Sequence, residues 1–164
     1  MTASFVVRPL GGSAHEHEAL WPLLYEMGHG TLPPEGIGSL PPDVAERIAR
    51  LCQRPEHFVP VAVAGGPAGA LVGYAWVQDY GPGLRRWWSV ARLHDLFTVP
   101  RWRQRGVGRG LFEAVRRWAG QRETVKYLEW QASLPAVPFY ERLGFTGDTR
   151  SDLEQHPYFE LTIR

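Results

Sequence analysis

Three arginines and three glycines fall within the eight residues from Arg103 to Gly110: Arg103-Gln104-Arg105-Gly106-Val107-Gly108-Arg109-Gly110. Glycine frees the backbone to bend tightly, so that successive N–H groups can converge on one point. An apolar, β-rich run, Leu93-His94-Asp95-Leu96-Phe97-Thr98-Val99, leads in and stops at Pro100. An amphipathic helix begins with Leu111-Phe112-Glu113-Ala114-Val115, so the same N–H groups sit at the positive end of a helix dipole. Residue type and spacing thus describe a phosphate cradle made of main chain. The side chains of Arg103, Arg105 and Arg109 add charge beside it.

The spacing narrows the choice of phosphate. A mononucleotide loop needs Lys-Ser/Thr after its glycines, and none follows here. A dinucleotide fingerprint needs Gly-x-Gly-x-x-Gly early in a parallel sheet, whereas this chain has Gly106-x-Gly108-x-Gly110 late in its length.

The run Arg103-x-x-Gly106-x-Gly108 resembles the acetyl-CoA signature of the GNAT superfamily of N-acetyltransferases, in which it wraps the CoA pyrophosphate. Downstream, Ala136-Val137-Pro138-Phe139-Tyr140-Glu141-Arg142-Leu143-Gly144-Phe145 is similar to that family's C-terminal helix and strand. Two motifs in the right order are far more specific than either alone. The resemblance implies an α/β fold, with about seven mostly antiparallel strands in a mixed sheet and about four helices. It also implies acetyl-CoA as co-substrate and direct transfer of acetyl to a primary amine, with no covalent intermediate.

Residue by residue, the resemblance assigns pyrophosphate contacts to Arg103, Gln104, Arg105, Gly106, Val107, Gly108, Arg109 and Gly110. The family's fourth and fifth strands splay apart and hold the pantetheine arm in the gap. That implies backbone contacts from Leu96, Phe97, Thr98 and Val99, with the oxyanion donor an N–H of the same stretch. Where the family often has Asn, this chain has Ser133, which takes over that hydrogen bond in the comparison; Arg142 reaches a phosphate or caps its helix.

Amine acylation needs a neutral nucleophile, an oxyanion donor and a proton for the departing thiolate. Tyr140 occupies the position of the family's thiolate-protonating Tyr, the alternative being a packed core Tyr. Leu93-His94-Asp95-Leu96-Phe97 resembles the L-E-D-L-Y/F run of diamine-acetyltransferase-like members, with His94 where the acidic base stands. Histidine titrates near ~6.5 and can accept a proton at neutral pH. Neighbouring strand residues face opposite sides, so only one of His94 and Asp95 is expected to reach the site, and position favours His94. The competing reading is a hydrogen-bonded structural His94.

The remaining elements must position these groups. Ser4–Leu10 reads as a strand and Glu16–Met27 as a helix. Gly28–Pro42 is a Gly/Pro-rich loop of lid length or a plain surface loop. Asp43–Cys52 reads as a second helix with Asp43 as cap and Cys52 as a core thiol. His57–Gly65 and Leu71–Tyr80 form a strand pair, and Trp87–Val99 the fourth strand, with Trp87 and Trp88 packing a core or a subunit contact. Leu111, Val115, Trp118 and Ala119 share one helical stripe. Val125–Ala132 is the fifth strand, a short helix runs from Pro135 to Leu143, and Phe145–Thr149 with Tyr158–Ile163 closes the sheet.

Composition bounds the rest. The 164 residues fit one domain spanning 1–164, and a net charge of +1 implies no global attraction to nucleic acid or membrane. Six arginines between Arg101 and Arg117 raise nucleic-acid binding as a distant reading, for which only Trp102 is placed to stack. A lone cysteine excludes an intrachain disulfide and, with no signal-like N-terminus, points to the cytoplasm. His15-Glu16-His17-Glu18 has metal-binding residue types but reads as a solvated helix start, and no metal is expected. The resemblance adds a possible homodimer, and a non-catalytic acyl-CoA-binding module as the alternative to an enzyme. Glu26, Glu35 and Glu56 near the loop are surface charge or an attraction for a cationic amine.

Overall fold

The computed structural model describes residues 4–35, 38–66, 68–148 and 156–164. Along the chain run β1 (Phe5–Pro9), α1 (Ala14–His29), α2 (Pro42–Cys52), β2 (His57–Phe58), β3 (Pro60–Ala64), β4 (Ala70–Asp79) and β5 (Ser89–Thr98). They are followed by α3 (Val107–Gln121), β6 (Val125–Gln131), α4 (Val137–Arg142) and β7 (Tyr158–Thr162). Short 3-10 turns at Pro100–Trp102 and Leu134–Ala136 precede α3 and α4.

The strands form one sheet in the order β1-β3-β4-β5-β6-β7, with β2 pairing β4. Every pair is antiparallel except β5–β6, which is parallel. This is the expected mixed sheet of seven strands with four helices. The strand read over His57–Gly65 is split at Val59, so the expected fourth and fifth strands are β5 and β6.

The sheet buries both faces. On one, α3 and α4 cover Val72, Ala75, Val77, Leu93 and Trp130 with Leu111, Phe112 and Val115. On the other, α1 and α2 bring Leu20, Leu23 and Ile48 onto Val61, Val63, Tyr74 and Phe97. The stripe of α3 is as its spacing predicts: Leu111, Val115 and Ala119 are buried, and Arg117 and Gln121 face solvent.

Local chemistry sets the helix ends. Ser13 Oγ accepts from the Glu16 N–H (3.3 Å), and Gly30, at φ 74°, returns its N–H to the Glu26 carbonyl (2.8 Å). In α2 the cap position falls on Pro41, not Asp43; Asp43 lies in the first turn and pairs with Arg47 (2.9 Å). Cys52, expected in the core, is exposed at the end of α2. Trp87 is also outside the core, at 71% exposure, while Trp88 lies edge-on to Tyr127 with Arg86 over its ring.

Phe145–Asp148 forms no strand beyond a single bridge, Asp148 to Tyr158, and Thr149 lies outside the described residues. The partner of β7 is β6. In the loop after α1, Leu40 is buried and its N–H donates to Glu18 Oε2 (2.9 Å); Gly36 and Ile37 lie outside the described residues. His17 is likewise committed, its Nε2 3.1 Å from the Gly11 carbonyl. Among the described residues no group of three or more His, Cys, Asp or Glu gathers as a metal site. No described helix is long and apolar enough to cross a membrane.

Candidate active site

The central feature is a wedge between β5 and β6. Their parallel ladder runs from Ser89↔Val125 to Arg92↔Glu129 and stops. From Leu93 to Thr98, β5 keeps only its antiparallel partner β4. The main chain of Leu96 and Thr98 therefore borders an open edge inside the sheet, where an added extended chain finds groups with no strand partner, whereas Phe97, opposite Tyr74, turns its N–H and carbonyl to β4. Val99 departs from its expected place in that set. Its N–H donates to the Val72 carbonyl (3.0 Å) and its carbonyl accepts from Trp102 (2.9 Å), so its main chain is already engaged.

At the wedge mouth the chain turns into α3. Gln104 (φ 58°) and Gly106 (φ 84°) are left-handed and bracket Arg105, which is the backbone alternation of an anion-binding nest. The first closed turn of α3 is Gly110 N–H to the Gly106 carbonyl (2.9 Å), and no side chain caps the helix. The N–H groups of Gly106, Val107, Gly108 and Arg109 are consequently left without intrahelical acceptors. A Cβ on Gly108 would lie 3.3 Å from the Phe139 ring and 3.7 Å from Thr98 Oγ1, so glycine here lets α3 approach both α4 and the end of β5.

Gly110 has a different job from the one expected. Its N–H is used inside the helix, and a Cβ there would lie 3.2 Å from Phe5 and 3.3 Å from Val7. It seats α3 on β1 and is not part of the cradle. Arg103 Nε donates to the Thr98 carbonyl (3.1 Å), tying the basic turn to the end of β5. Arg105 lies 5.6 Å over the Trp102 ring. Arg103, Gln104, Arg105 and Arg109 are exposed at the turn, and Ser133 and Arg142 are exposed before and at the end of α4.

Tyr140 stands on the α3/α4 face, buried among Phe112, Trp130, Phe139 and Phe159 at ring separations of 4.9–5.7 Å. Burial pushes its phenol above the ordinary value, so it holds its proton throughout the neutral range. Among the described residues its hydroxyl has no hydrogen-bond partner, which leaves it free to donate.

On the opposite face lies a cavity of about 220 Å3, lined by Leu10, Leu20, Leu24, Val44, Arg47, Ile48, Leu51, Val59, Tyr74, Trp76 and Asp95. Asp95 is the carboxylate in this wall, and the Tyr74 hydroxyl donates to its Oδ2 (3.1 Å). Burial pushes the Asp95 carboxyl up, and the Tyr74 hydrogen bond opposes that in part. Asp95 of the cavity wall and the open stretch of β5 that borders the wedge are on the same strand.

The strict alternation expected at His94-Asp95 does not hold. The β4–β5 register steps from Trp76↔Asp95 to Val77↔Leu93, so His94 is the extra residue of a β-bulge. Leu93 and Leu96 both belong to the α3 side, and the two residues between them lie together on the α1/α2 side. His94 stacks on Trp76 (4.1 Å, 21°) and is not in the cavity wall, which Asp95 is. Burial first, then the charges of Arg92 and His57, lower the His94 pKa and keep its ring neutral near pH 7. Its Nε2 is buried with no partner among the described residues, and Trp76 Nε1 donates to His57 Nδ1 (3.2 Å) on the same face.

Tyr74, Trp76 and Arg47 carry no motif and were not legible as site residues. The one available signal was the i, i+2 spacing of Tyr74 and Trp76 on a strand, which puts both rings on one face.

Comparison with known proteins gives a consistent result. No curated protein sequence matches the chain. Among solved structures it is similar to an acetyltransferase of the GNAT family from Streptococcus pneumoniae (TM-score 0.71, 15% identity, 98% of this chain and 100% of that one). It is also similar to glucosamine-6-phosphate N-acetyltransferase from Arabidopsis thaliana (0.65, 18%, 88% and 93%). A third is the aminoglycoside acetyltransferase meta-AAC0020 from an uncultured soil metagenomic sample, in complex with trehalose (0.64, 18%, 84% and 86%). At these identities the likeness is one of fold. The description "Acetyltransferase (GNAT) family" matches residues 21–145, which takes in the wedge, the glycine turn and Tyr140. With an open wedge, an uncapped α3 and that match over most of its length, the chain belongs to the GNAT family of acetyltransferases.

Proposed function

We propose that this protein is an acetyl-CoA-dependent N-acetyltransferase that moves acetyl directly to the primary amine of a small acceptor in a ternary complex. The observation that carries the reading is the uncapped, glycine-bent start of α3 at the mouth of the β5–β6 wedge. A diphosphate suits that ring of main-chain donors and the arginines around it. The residues that would hold it are Arg103, Gln104, Arg105, Gly106, Val107, Gly108 and Arg109. Leu96 and Thr98, whose main chain faces the wedge, would pair with the pantetheine arm and supply the oxyanion donor.

In the reaction the amine nitrogen attacks the thioester carbonyl, a C–N bond forms and the C–S bond breaks. Asp95 holds the incoming ammonium and takes its proton; a carboxyl raised by burial is a better base than a solvated one. This moves the base from His94 to Asp95, because Asp95 is in the cavity wall and the His94 ring is stacked on Trp76. Tyr140, still protonated, donates to the departing thiolate; the second proton shed by the nitrogen as the amide forms restores the phenol by way of water, leaving amide, CoA thiol and one proton on Asp95. The exposed lone cysteine fits a reducing, cytoplasmic setting.

The test is CoA release from acetyl-CoA with an amine panel, comparing wild type with Asp95→Asn and His94→Gln across pH. The reading expects turnover, lost in Asp95→Asn and largely kept in His94→Gln. Acetyl-CoA binding without turnover of any amine would instead make the protein an acyl-CoA-binding module.

A further inference from the structure

We infer that the acceptor is a small monoamine with an apolar body, seated in the cavity between α1, α2 and β4–β5 with its nitrogen at Asp95. This rests on the N-acetyltransferase reading and deepens it to a substrate class. Three observations carry it.

The first is the chemistry of the wall. Leu24, Val44, Leu51 and Val59 face the cavity with the Trp76 ring, and the acidic group among them is Asp95. Its hydroxyl neighbour Tyr74 already donates to that carboxylate. A polyhydroxylated acceptor such as an amino sugar would bury hydroxyls against aliphatic carbon with no partners.

The second is the sign of the remaining charge. The other ionised liner is Arg47, a cation, paired with Asp43 one turn earlier on α2. Because Asp43 already pairs with that guanidinium, the cavity lining offers the distal ammonium of a diamine or polyamine no second carboxylate, so a second positive charge gains nothing there.

The third is size. A cavity of about 220 Å3 is compact, on the scale of a small arylalkylamine or branched alkylamine. It lies below the ~300–1,000 Å3 of sites for drug-sized ligands, so a multi-ring aminoglycoside would have to leave most of its body outside.

The test measures kcat/KM by CoA thiol release for 2-phenylethylamine, isopentylamine, spermidine, glucosamine and a peptide with a free N-terminal Met. The two apolar monoamines are expected to exceed each of the others by about tenfold or more. Spermidine, glucosamine or the peptide equalling them overturns this inference and leaves the acetyltransferase reading in place. No CoA release with any acceptor overturns both. Two variants test the cavity, with folding followed by circular dichroism. Leu51→Trp is expected to lower kcat/KM for 2-phenylethylamine about tenfold while the thermal shift given by acetyl-CoA persists. Leu24→Ala is expected to raise the ratio of 4-phenylbutylamine to 2-phenylethylamine turnover. If neither variant moves these ratios, the acceptor does not occupy the cavity.

Discussion

The Tyr74 hydroxyl donates to Asp95 Oδ2 at 3.1 Å, across the β4–β5 pair and at the polar point of a largely aliphatic cavity. Tyr74 is buried, and burial together with the Asp95 charge raises its own pKa, so the phenol stays a donor and the carboxylate the acceptor. The pair exists because Asp95, two residues before Phe97 in an unbroken register with β4, shares the face of Tyr74, and the bulge brings His94 onto that face as well.

Asp95→Asn is expected to lower kcat/KM for amine acetylation about 100-fold or more, the usual range for a positioned base. Stability should move the other way. Burial raises the folded-state pKa of Asp95, so ionising it disfavours the fold. That cost is absent below the ordinary carboxylate pKa of ~3.9 and is fully present above the raised value. The variant's melting temperature should therefore match or exceed wild type at pH 7, with the gap closing in acid. Calorimetry from pH 3 to pH 8 checks the sign, and a lower melting temperature at pH 7 would refute it.

Tyr140→Phe keeps the ring that packs Phe112 and Trp130 and removes only an unpartnered hydroxyl. We expect kcat to fall about 10–100-fold with little change in KM for acetyl-CoA or in melting temperature. Steady-state kinetics with a fixed amine measure this. An unchanged kcat takes Tyr140 out of the chemistry.

Gly106→Ala forces a side chain onto φ 84° in the cradle; Gly144→Ala does the same at φ 91° after α4. Both should destabilise by about 1–2 kcal/mol, the cost of a left-handed L-residue. Only Gly106→Ala should also raise the dissociation constant for CoA. Thermal melts paired with calorimetric titration of CoA separate the two effects, and equal losses of CoA affinity would sink the assignment of the cradle.

Arg122 Nε donates to Asp79 Oδ2 at 2.7 Å, joining the end of α3 to the end of β4. Burial pushes the Asp79 carboxyl up, but the hydrogen bonds from Arg122 Nε and the Gly81 N–H, with the guanidinium charge, outweigh it and hold the pKa below the ordinary value. The ionised form thus stabilises the fold above ~3.9, and that stability is lost as pH falls through the lowered pKa. Asp79→Asn should cost about 1.5–3 kcal/mol at pH 7 and progressively less in strong acid. Urea unfolding at several pH values measures it, and a pH-independent difference would count against the ion pair.

Local chemistry determined much of this protein in advance. The glycine spacing at Gly106 and Gly108, the proline that ends β5 and the apolar stripe of α3 fixed a turn of free amides at a helix start. Those are short-range properties of backbone freedom and side-chain period, so they are legible without a fold. The mixed sheet of mostly antiparallel strands followed from motif resemblance, but its closing pair did not: β7 lies on β6, not on Phe145–Thr149. What tertiary structure decided depends on groups far apart in the chain. The β4–β5 register placed an extra residue at His94 and put His94 and Asp95 on one face, which alternation alone forbids. Gly110 was taken from the cradle by the packing of α3 on Phe5 and Val7, and Val99 by its bond to Val72. The cavity itself is assembled from α1, α2 and β4, whose leucines and valines look like any core until three dimensions leave a space between them with one carboxylate facing in.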